Sequence, residues 1–461
     1  MKSRKQKNSE FKLKSKEKPP NVWYNLVRGQ KHTKQIQRRL FMFNSTTNVY
    51  ATKREIVTFS KKLVQEENRV ESKFVTQSIY GILKSGSIVL KKIGTALNEG
   101  INIKNTIDRL SRNLQKPMSP EIQKNYTAKM TKSLGESPVI LVDDSDVIKP
   151  YGQKFEALGE VRDGSSKDKK IEKGYMVTEI VGLTAKEKQP VSLFSHVHSS
   201  KEKSYKSTNA ILFQGLTQVI NTLAKKATFV FDRGYDMNAL FDFMYKHKQN
   251  FVIRLTENRK LFWKGKWFKS TTLRDSRKGK IKTSLTFRIN GQEKRETVYI
   301  SHLNVKITAS RNMVNLVLVY GLGEKPMMLA TNEIIEGKDD VIRIVRLYMS
   351  RWRVEEYFRF KKQHFGFENF RVRSLRSINN LNQLLTYSIG LIGLLAEKKS
   401  KNQLPHQLIH NARVLRKDVS FYYYQLAEGI QSTLAYAREG IQRWFKIRDS
   451  GPRQLEFKLA C

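Results

Sequence analysis

Two short apolar runs, each broken off by an aspartate, constrain this chain more than any other feature. Val139-Ile140-Leu141-Val142 runs into Asp143-Asp144-Ser145-Asp146, and Thr228-Phe229-Val230-Phe231 runs into Asp232-Arg233-Gly234-Tyr235. Short β-branched and aromatic runs bounded by polar residues suit buried strands. Between them, 175–183 and 191–197 read as two further strands and 209–223 as a helix. The expected core is therefore mixed α/β, with acids placed where strands stop. One aspartate at a strand end is commonly a turn former or a helix cap. Two such aspartates and a glutamate on a later helix form a more specific pattern. Divalent ions such as Mg²⁺ take hard oxygen ligands, and a pair of them can clamp both reacting oxygens of a phosphodiester.

The glutamate comes from the stretch 339–363, whose pattern predicts one long helix. At 100° per residue, with Tyr348 at 0°, Arg351 falls at about −60°, Glu355 at about −20° and Lys362 at about −40°. These four share one narrow face, while Glu356 points elsewhere, at about +80°. Mixed charges on one helix face are often only solvated i,i+4 pairs. The strand-end aspartates raise the weight of the alternative, a functional face.

Between 253 and 326 the pattern is β-rich, with strand-like segments at 283–289, 297–300 and 314–320 and turn signals at Lys264-Gly265 and Asn290-Gly291. Upstream, 51–116 is helical in period, and Ile103, Ile107, Leu110 and Leu114 recur along one face. A helix, a turn at Asn98-Glu99-Gly100 and a second helix bearing Lys104, Arg109 and Arg112 fit a DNA-reading pair and an ordinary helical hairpin equally well. The first 18 residues are rich in Lys and Arg and end at Pro19-Pro20, the pattern of a disordered basic arm.

Charge narrows the partner. The 461 residues carry 86 Lys+Arg against 42 Asp+Glu, a formal net charge of +44. Such an excess repels itself in a compact chain unless a polyanion is near, and nucleic acid is the commonest one. The apolar run Tyr387–Ala396 is well short of the roughly 20 residues a bilayer span needs. No apolar segment follows the basic start, as a secretory signal requires. The single cysteine, Cys461, excludes an internal disulfide and a thiolate metal cluster. A cytoplasmic protein is expected. His196-Val197-His198 lacks a third metal ligand, and Gly321-Leu322-Gly323 lacks the rest of a dinucleotide fingerprint.

Tyr348-x-x-Arg351-x-x-x-Glu355-x-x-x-x-x-x-Lys362 resembles the Y-R-E-K signature of bacterial insertion-sequence DDE transposases that carry a β-strand insertion. Val142 to Val147 resembles that family's first-acid motif and Phe231 to Tyr235 its second, and the β-rich block sits where the family places its insertion. The resemblance covers roughly residues 136 to 395. It implies a ribonuclease-H-like catalytic core interrupted by a β-rich insertion, with a helical N-terminal DNA-binding region. The matching division is 1–20 arm, 21–135 helical region, 136–252 and 329–396 core, 253–328 insertion and 397–461 C-terminal helical region.

Carried over by position, Asp143, Asp232 and Glu355 are the catalytic ligands of two Mg²⁺ ions, with Mn²⁺ as a substitute. Asp146 stays open as the alternative first ligand; on a strand Asp144 and Asp146 share one face and Asp143 takes the other. Tyr348, Arg351 and Lys362 would hold DNA phosphates beside the cut. In relatives a Trp of the insertion stacks on a flipped base. Trp263 and Trp267 flank Lys264-Gly265-Lys266, and each is open to that role or to plain hairpin packing. The implied activity is metal-dependent cleavage at the ends of an insertion sequence and strand transfer into target DNA by a homodimer on double-stranded DNA, in a bacterial cytoplasm. A ribonuclease-H-like nuclease and an inactive, transposase-derived DNA-binding protein are the alternatives.

Overall fold

A computed structural model describes residues 46–446 apart from 65–67, 165, 167, 169, 290–291 and 414–419. The basic arm, the Asn290-Gly291 turn and Cys461 lie outside the described residues. The described residues from Val49 onward form one compact unit. The described residues open with helices α1 (46–61), α2 (Arg69–Ser85), α3 (Leu90–Leu97), α4 (Ile103–Leu114) and α5 (Pro120–Thr131). Then come β1 (Val139–Ile148), β2 (Gly159–Arg162), β3 (Ile171–Leu183), β4 (Pro190–His198), α6 (Thr208–Leu223), β5 (Thr228–Phe231), α7 (Asn238–Lys246) and β6 (Asn250–Arg254).

β1 and β5 run parallel, as do β5 and β6, whereas β3 lies antiparallel to β1 and β4 antiparallel to β3. The order across this part is thus β4-β3-β1-β5-β6, with β2 also on β3. The apolar runs are the reason: Ile140 to Val142 and Phe229 to Phe231 are fully buried, as parallel central strands require. One expectation needs correction. β1 does not stop at its acids but continues to Ile148, because β3 pairs it from Ile140 through Ile148. The strand that stops is β5, whose pairing with β1 ends at Val142↔Phe231. Asp143 and Asp232 therefore follow directly on paired neighbours.

The β-rich stretch builds β7 (Lys260–Trp263), β8 (Lys266–Lys269), the short α8 (Ser270–Asp275), β9 (Ile281–Ile289), β10 (Gln292–Ile307), β11 (Asn312–Tyr320) and β12 (Met327–Thr331). β12 pairs antiparallel with β6, so these strands extend the same twelve-stranded sheet. The β7–β8 hairpin turns at Lys264 and Gly265, both at positive φ, the two-residue turn that matches strand twist.

The described residues close with α9 (Lys338–Met349), α10 (Trp352–Gln363), α11 (Leu375–Glu397), α12 (Gln403–His410), α13 (Tyr423–Ala435) and α14 (Arg443–Lys446). The one long helix expected over 339–363 is two helices. Arg351, Arg353 and Val354 donate i→i−3 to Tyr348, Ser350 and Arg351, a single tightened turn. Ser350 and Arg351 keep right-handed helical φ and ψ, so the face carrying Tyr348, Arg351, Glu355 and Lys362 survives the break. The apolar run at Tyr387–Ala396 is a buried part of α11, packed on β4, α2 and α13. No helix among the described residues is long and apolar enough to cross a membrane.

In the N-terminal helices, Leu110 and Leu114 of α4 are core and Ile103 is exposed. Arg109 is spent within the fold: its guanidinium meets Glu99 at 2.6 Å and Gln77 at 2.7 Å. Only Lys104 and Arg112 of the three cations are exposed.

Candidate active site

The sheet brings Asp143 and Asp232 to adjacent strands, and α9 and α10 supply the rest. Val341, Ile344 and Val345 bury one stripe of α9, which delivers Tyr348 and Arg351 at its C-terminal end. Glu355 stands in the first turn of α10, where the helix dipole favours a carboxylate.

One guanidinium joins the three acids. Arg351 Nη1 lies 3.1 Å from Asp143 Oδ2, Nη2 lies 2.5 Å from Glu355 Oε1, and Nε lies 4.0 Å from Asp232 Oδ1. Tyr348 donates its hydroxyl to Asp232 Oδ1 at 3.0 Å. Lys362 reaches Asp146 at 3.6 Å and Glu368 at 3.2 Å. Tyr348, Arg351 and Lys362 of the helix face thus meet carboxylates, and the fourth residue, Glu355, meets Arg351. Glu356 is turned away and pairs with Arg353 at 3.3 Å.

Three carboxylates meet the guanidinium of Arg351, Arg254 adds a second cation beside Asp232, and a formal excess of negative charge remains. Burial, and then Asp144 and Asp232, push Asp143 up to about 7 against the pull of Arg351. Burial also works to raise Asp232, yet the Arg233 amide, Arg351 and Tyr348 hold it below the usual carboxylate range. Burial opposes the charge on Arg351, but Asp143, Asp232 and Glu355 together keep its guanidinium above its ordinary range. The donor set is hard, anionic oxygen with a charge deficit, which suits a divalent cation. Among the described residues, no three His, Cys, Asp or Glu side chains converge closely enough as they stand to hold one ion. Arg351 sits between the acids instead.

The other aspartates of the first motif differ from Asp143. Asp144 accepts from Thr178 at 2.5 Å and from Tyr235 at 2.9 Å, and Thr178 shares a hydrogen bond of 3.0 Å with His198. Burial raises Asp144, and these two donors oppose it. Asp144 is thereby tied into the sheet, and Asp146 goes to Lys362. Of the three, Asp143 is the one that Arg351 links to Asp232 and Glu355. His198 is a buried partner of Thr178, and burial holds both His196 and His198 below the usual imidazole range.

In the β7–β8 hairpin, Trp263 packs edge-on to Phe268, with Lys264 at 4.7 Å and Arg277 at 5.6 Å from its ring centre. Trp267 contacts Phe262 edge-on and remains 45% exposed.

Sequence reasoning missed a second charged group on the same helix. Lys361 and Glu179 are both fully buried and pair at 2.9 Å, and Lys361 also donates to Ser195 at 3.0 Å. The signal was present: Val354, Tyr357, Phe358 and Lys361 follow the i, i+3, i+4, i+7 spacing of a core stripe, so a lysine fills an apolar slot.

Residues 196–389 match the transposase DDE domain family, a span that holds Asp232, Tyr348, Arg351, Glu355 and Lys362 and begins after Asp143. No curated protein matches the chain. The solved synaptic complex of piggyBac transposase with hairpin DNA is similar at 9% identity with a TM-score of 0.43, over 85% of this chain and 78% of that one, too slight a likeness to carry argument. The likeness to the transposase DDE domain family thus rests on the match over residues 196–389.

Proposed function

We propose that this chain is a DNA transposase that cuts double-stranded DNA at the ends of an insertion sequence and transfers the freed ends to a target by cut and paste. The observation that carries the reading is the junction of Asp143, Asp232 and Glu355 on the single guanidinium of Arg351, the last two acids lying inside a transposase DDE domain. The order β4-β3-β1-β5-β6, antiparallel on one side of β1 and parallel on the other, supports a ribonuclease-H-like core. The strands β7 to β12 then form an insertion between the second and third acids, and the boundaries expected from the sequence belong to this proposal.

Asp143, Asp232 and Glu355 would hold Mg²⁺ or Mn²⁺, which when bound supply the clamp on the attacking and leaving oxygens of the phosphodiester. The protein's own groups position the DNA. Arg351 exchanges its carboxylate partners for phosphate oxygens, a task its planar fork suits, and Tyr348 and Lys362 contact the phosphates beside it. Trp267, the more exposed of the two hairpin indoles, is the platform for an extruded base, where stacking is worth roughly 1–3 kcal/mol. A homodimer would bring two ends together.

The test uses purified protein and a linear duplex ending in the inverted repeats that flank its gene. The wild type should nick that duplex with Mg²⁺ and join the end to a second DNA. Asp143→Asn, Asp232→Asn and Glu355→Gln should still shift the duplex in a gel and fail to nick it. Cleavage without joining would favour a nuclease, and binding without cleavage by the wild type would favour an inactive derivative.

A further inference from the structure

We propose that the buried pair Lys361–Glu179 is a positioning device, which fixes the rotation of α10 on the sheet so that Glu355 faces Asp143 and Asp232. The proposal rests on the reading of those three acids as the catalytic set.

The sheet register places the pair. Asp143 on β1 stands opposite Glu179 on β3, and Glu179 stands opposite Ser195 on β4. Residues opposite one another in adjacent strands project to the same face. α10 packs against both β1 and β4. Along this row Asp143 meets Arg351, which in turn holds Glu355, while Glu179 and Ser195 meet Lys361. One row of the sheet thus touches the helix chain at two charged points.

The bonds are directional. Glu179 Oε2 accepts from Lys361 at 2.9 Å and from Ser195 at 2.8 Å, and Asn382 of α11 donates to Ser195 at 2.8 Å. The other carboxylate oxygen of Glu179 is buried and has no hydrogen-bond partner among the described residues. Lys361 therefore supplies the charge that Glu179 needs, and neither side chain reaches solvent. Glu355 and Lys361 are six residues apart, about 9 Å along the axis and about 240° around it. Pinning Lys361 sets the direction of Glu355. A slip of one residue would turn the helix by about 100° and present Glu356 in its place. An apolar side chain at 361 would fill the same stripe but tolerate sliding, whereas a buried polar contact specifies a register.

The experiment compares the wild type with Lys361→Met/Glu179→Gln, which removes both charges together, and with Glu179→Asp, which keeps the charge and shortens its reach by one methylene. Four properties are read on the full chain: melting temperature, amide hydrogen exchange across 352–363, Mn²⁺ binding by calorimetry without DNA, and Mg²⁺-dependent nicking at saturating DNA. The double variant should melt within a few degrees of the wild type and bind DNA equally well. Its α10 amides should exchange faster, its Mn²⁺ affinity should fall about 10-fold and its nicking about 10- to 100-fold. Glu179→Asp should move in the same direction by less. A double variant with wild-type exchange, Mn²⁺ affinity and nicking would overturn the proposal, and so would a wild-type Glu179→Asp if the double variant does not fold. Glu355→Gln tests the underlying reading separately. If it leaves Mn²⁺ binding untouched, the acids are not a metal site. The exchange of α10 then still decides the pair: faster exchange at an unchanged melting temperature supports it, and equal protection overturns it.

Discussion

The two ends of α10 carry charge in opposite ways. At the N-terminal end, Glu355 shares Arg351 with Asp143 and Asp232, and Glu355 remains half exposed. Near the C-terminal end, Lys361 and Glu179 neutralise each other with no exposure at all. The first arrangement carries more acids than cations and is open, and in the proposed reading it would receive a cation. The second is balanced and closed, so it has nothing to receive and acts only on the position of its helix. The adjacent lysines show how sharply the helix divides the two: Lys361 goes to the core, and Lys362 goes to Asp146 and Glu368. A residue's type alone does not say which kind of charge it is. Its place on the wheel does.

The strongest way to break the comparison is to remove the acid that belongs to the open end alone. Glu355→Gln keeps size and hydrogen bonding but loses the anionic ligand. Metal-dependent stabilisation of the reacting oxygens is worth several kcal/mol, so nicking should drop by roughly 1,000-fold or more. Glu356→Gln, next in sequence but paired with Arg353, should change the rate by less than about threefold. Equal losses in both variants, measured as single-turnover nicking, would remove the distinction between the two faces.

At the closed end the expected effect is on stability. Lys361→Met leaves the Glu179 carboxylate buried beside Ser195 without its cation, a change that costs about 3–5 kcal/mol. Urea unfolding without metal measures it. A loss under 1 kcal/mol, the value typical of exposed pairs, would mean that water reaches Glu179.

The open end should also reveal itself through pH. The Asp143 carboxyl, raised by burial and by its acidic neighbours to about 7, keeps a proton that the unfolded chain has already released. Between about pH 4 and pH 7 the native state binds more protons, so this group's contribution to stability falls as pH rises and levels off above 7. Asp143→Asn removes that penalty. With a chelator present, the variant should be more stable than the wild type by on the order of 2–4 kcal/mol at pH 8, and indistinguishable from it near pH 4. A variant less stable than the wild type at pH 8 would show that the bond to Arg351 outweighs the crowding of acids.

Much of the open end was legible in the sequence, because its signals are local. An apolar run followed by an aspartate marks a buried strand, and a 3.6-residue period places Tyr348, Arg351, Glu355 and Lys362 on one face whether or not the helix tightens at Ser350. The break between α9 and α10 was not legible, since i→i−3 bonding around Ser350 leaves no mark in the apolar period. Nor was the continuation of β1 past its acids, which depends on pairing with β3, from Asp143↔Glu179 to Ile148↔Gly174. The apolar spacing around Lys361 marks a core position, but its pairing with Glu179 needs the β1–β3 register and the packing of α10 together, and sequence supplies neither. The intramolecular use of Arg109 by Glu99 and Gln77 was hidden in the same way, because a cation on a helix reads identically whether it faces DNA or its own fold.

The smallest effect, and the finest test of the division along α10, belongs to Lys362. Its ammonium lies 3.6 Å from Asp146 and 3.2 Å from Glu368, and its side chain is about one fifth exposed. Pairs of this kind contribute roughly 0–1 kcal/mol, so Lys362→Gln should destabilise the chain by less than 1 kcal/mol, far below Lys361→Met. The informative reading is the salt dependence of duplex binding. If Lys362 leaves its acids for one phosphate, it releases that phosphate's condensed counterion, and the slope of log affinity against log salt should become shallower by about 0.9 in the variant. The slope is the better measure, because it counts contacts and is insensitive to small losses of stability. Lys361→Met/Glu179→Gln should leave it unchanged, since neither group reaches solvent. An unchanged slope in Lys362→Gln would mean that Asp146 and Glu368 keep the ammonium throughout, and that Lys362 belongs with Lys361 as a fixture of the fold.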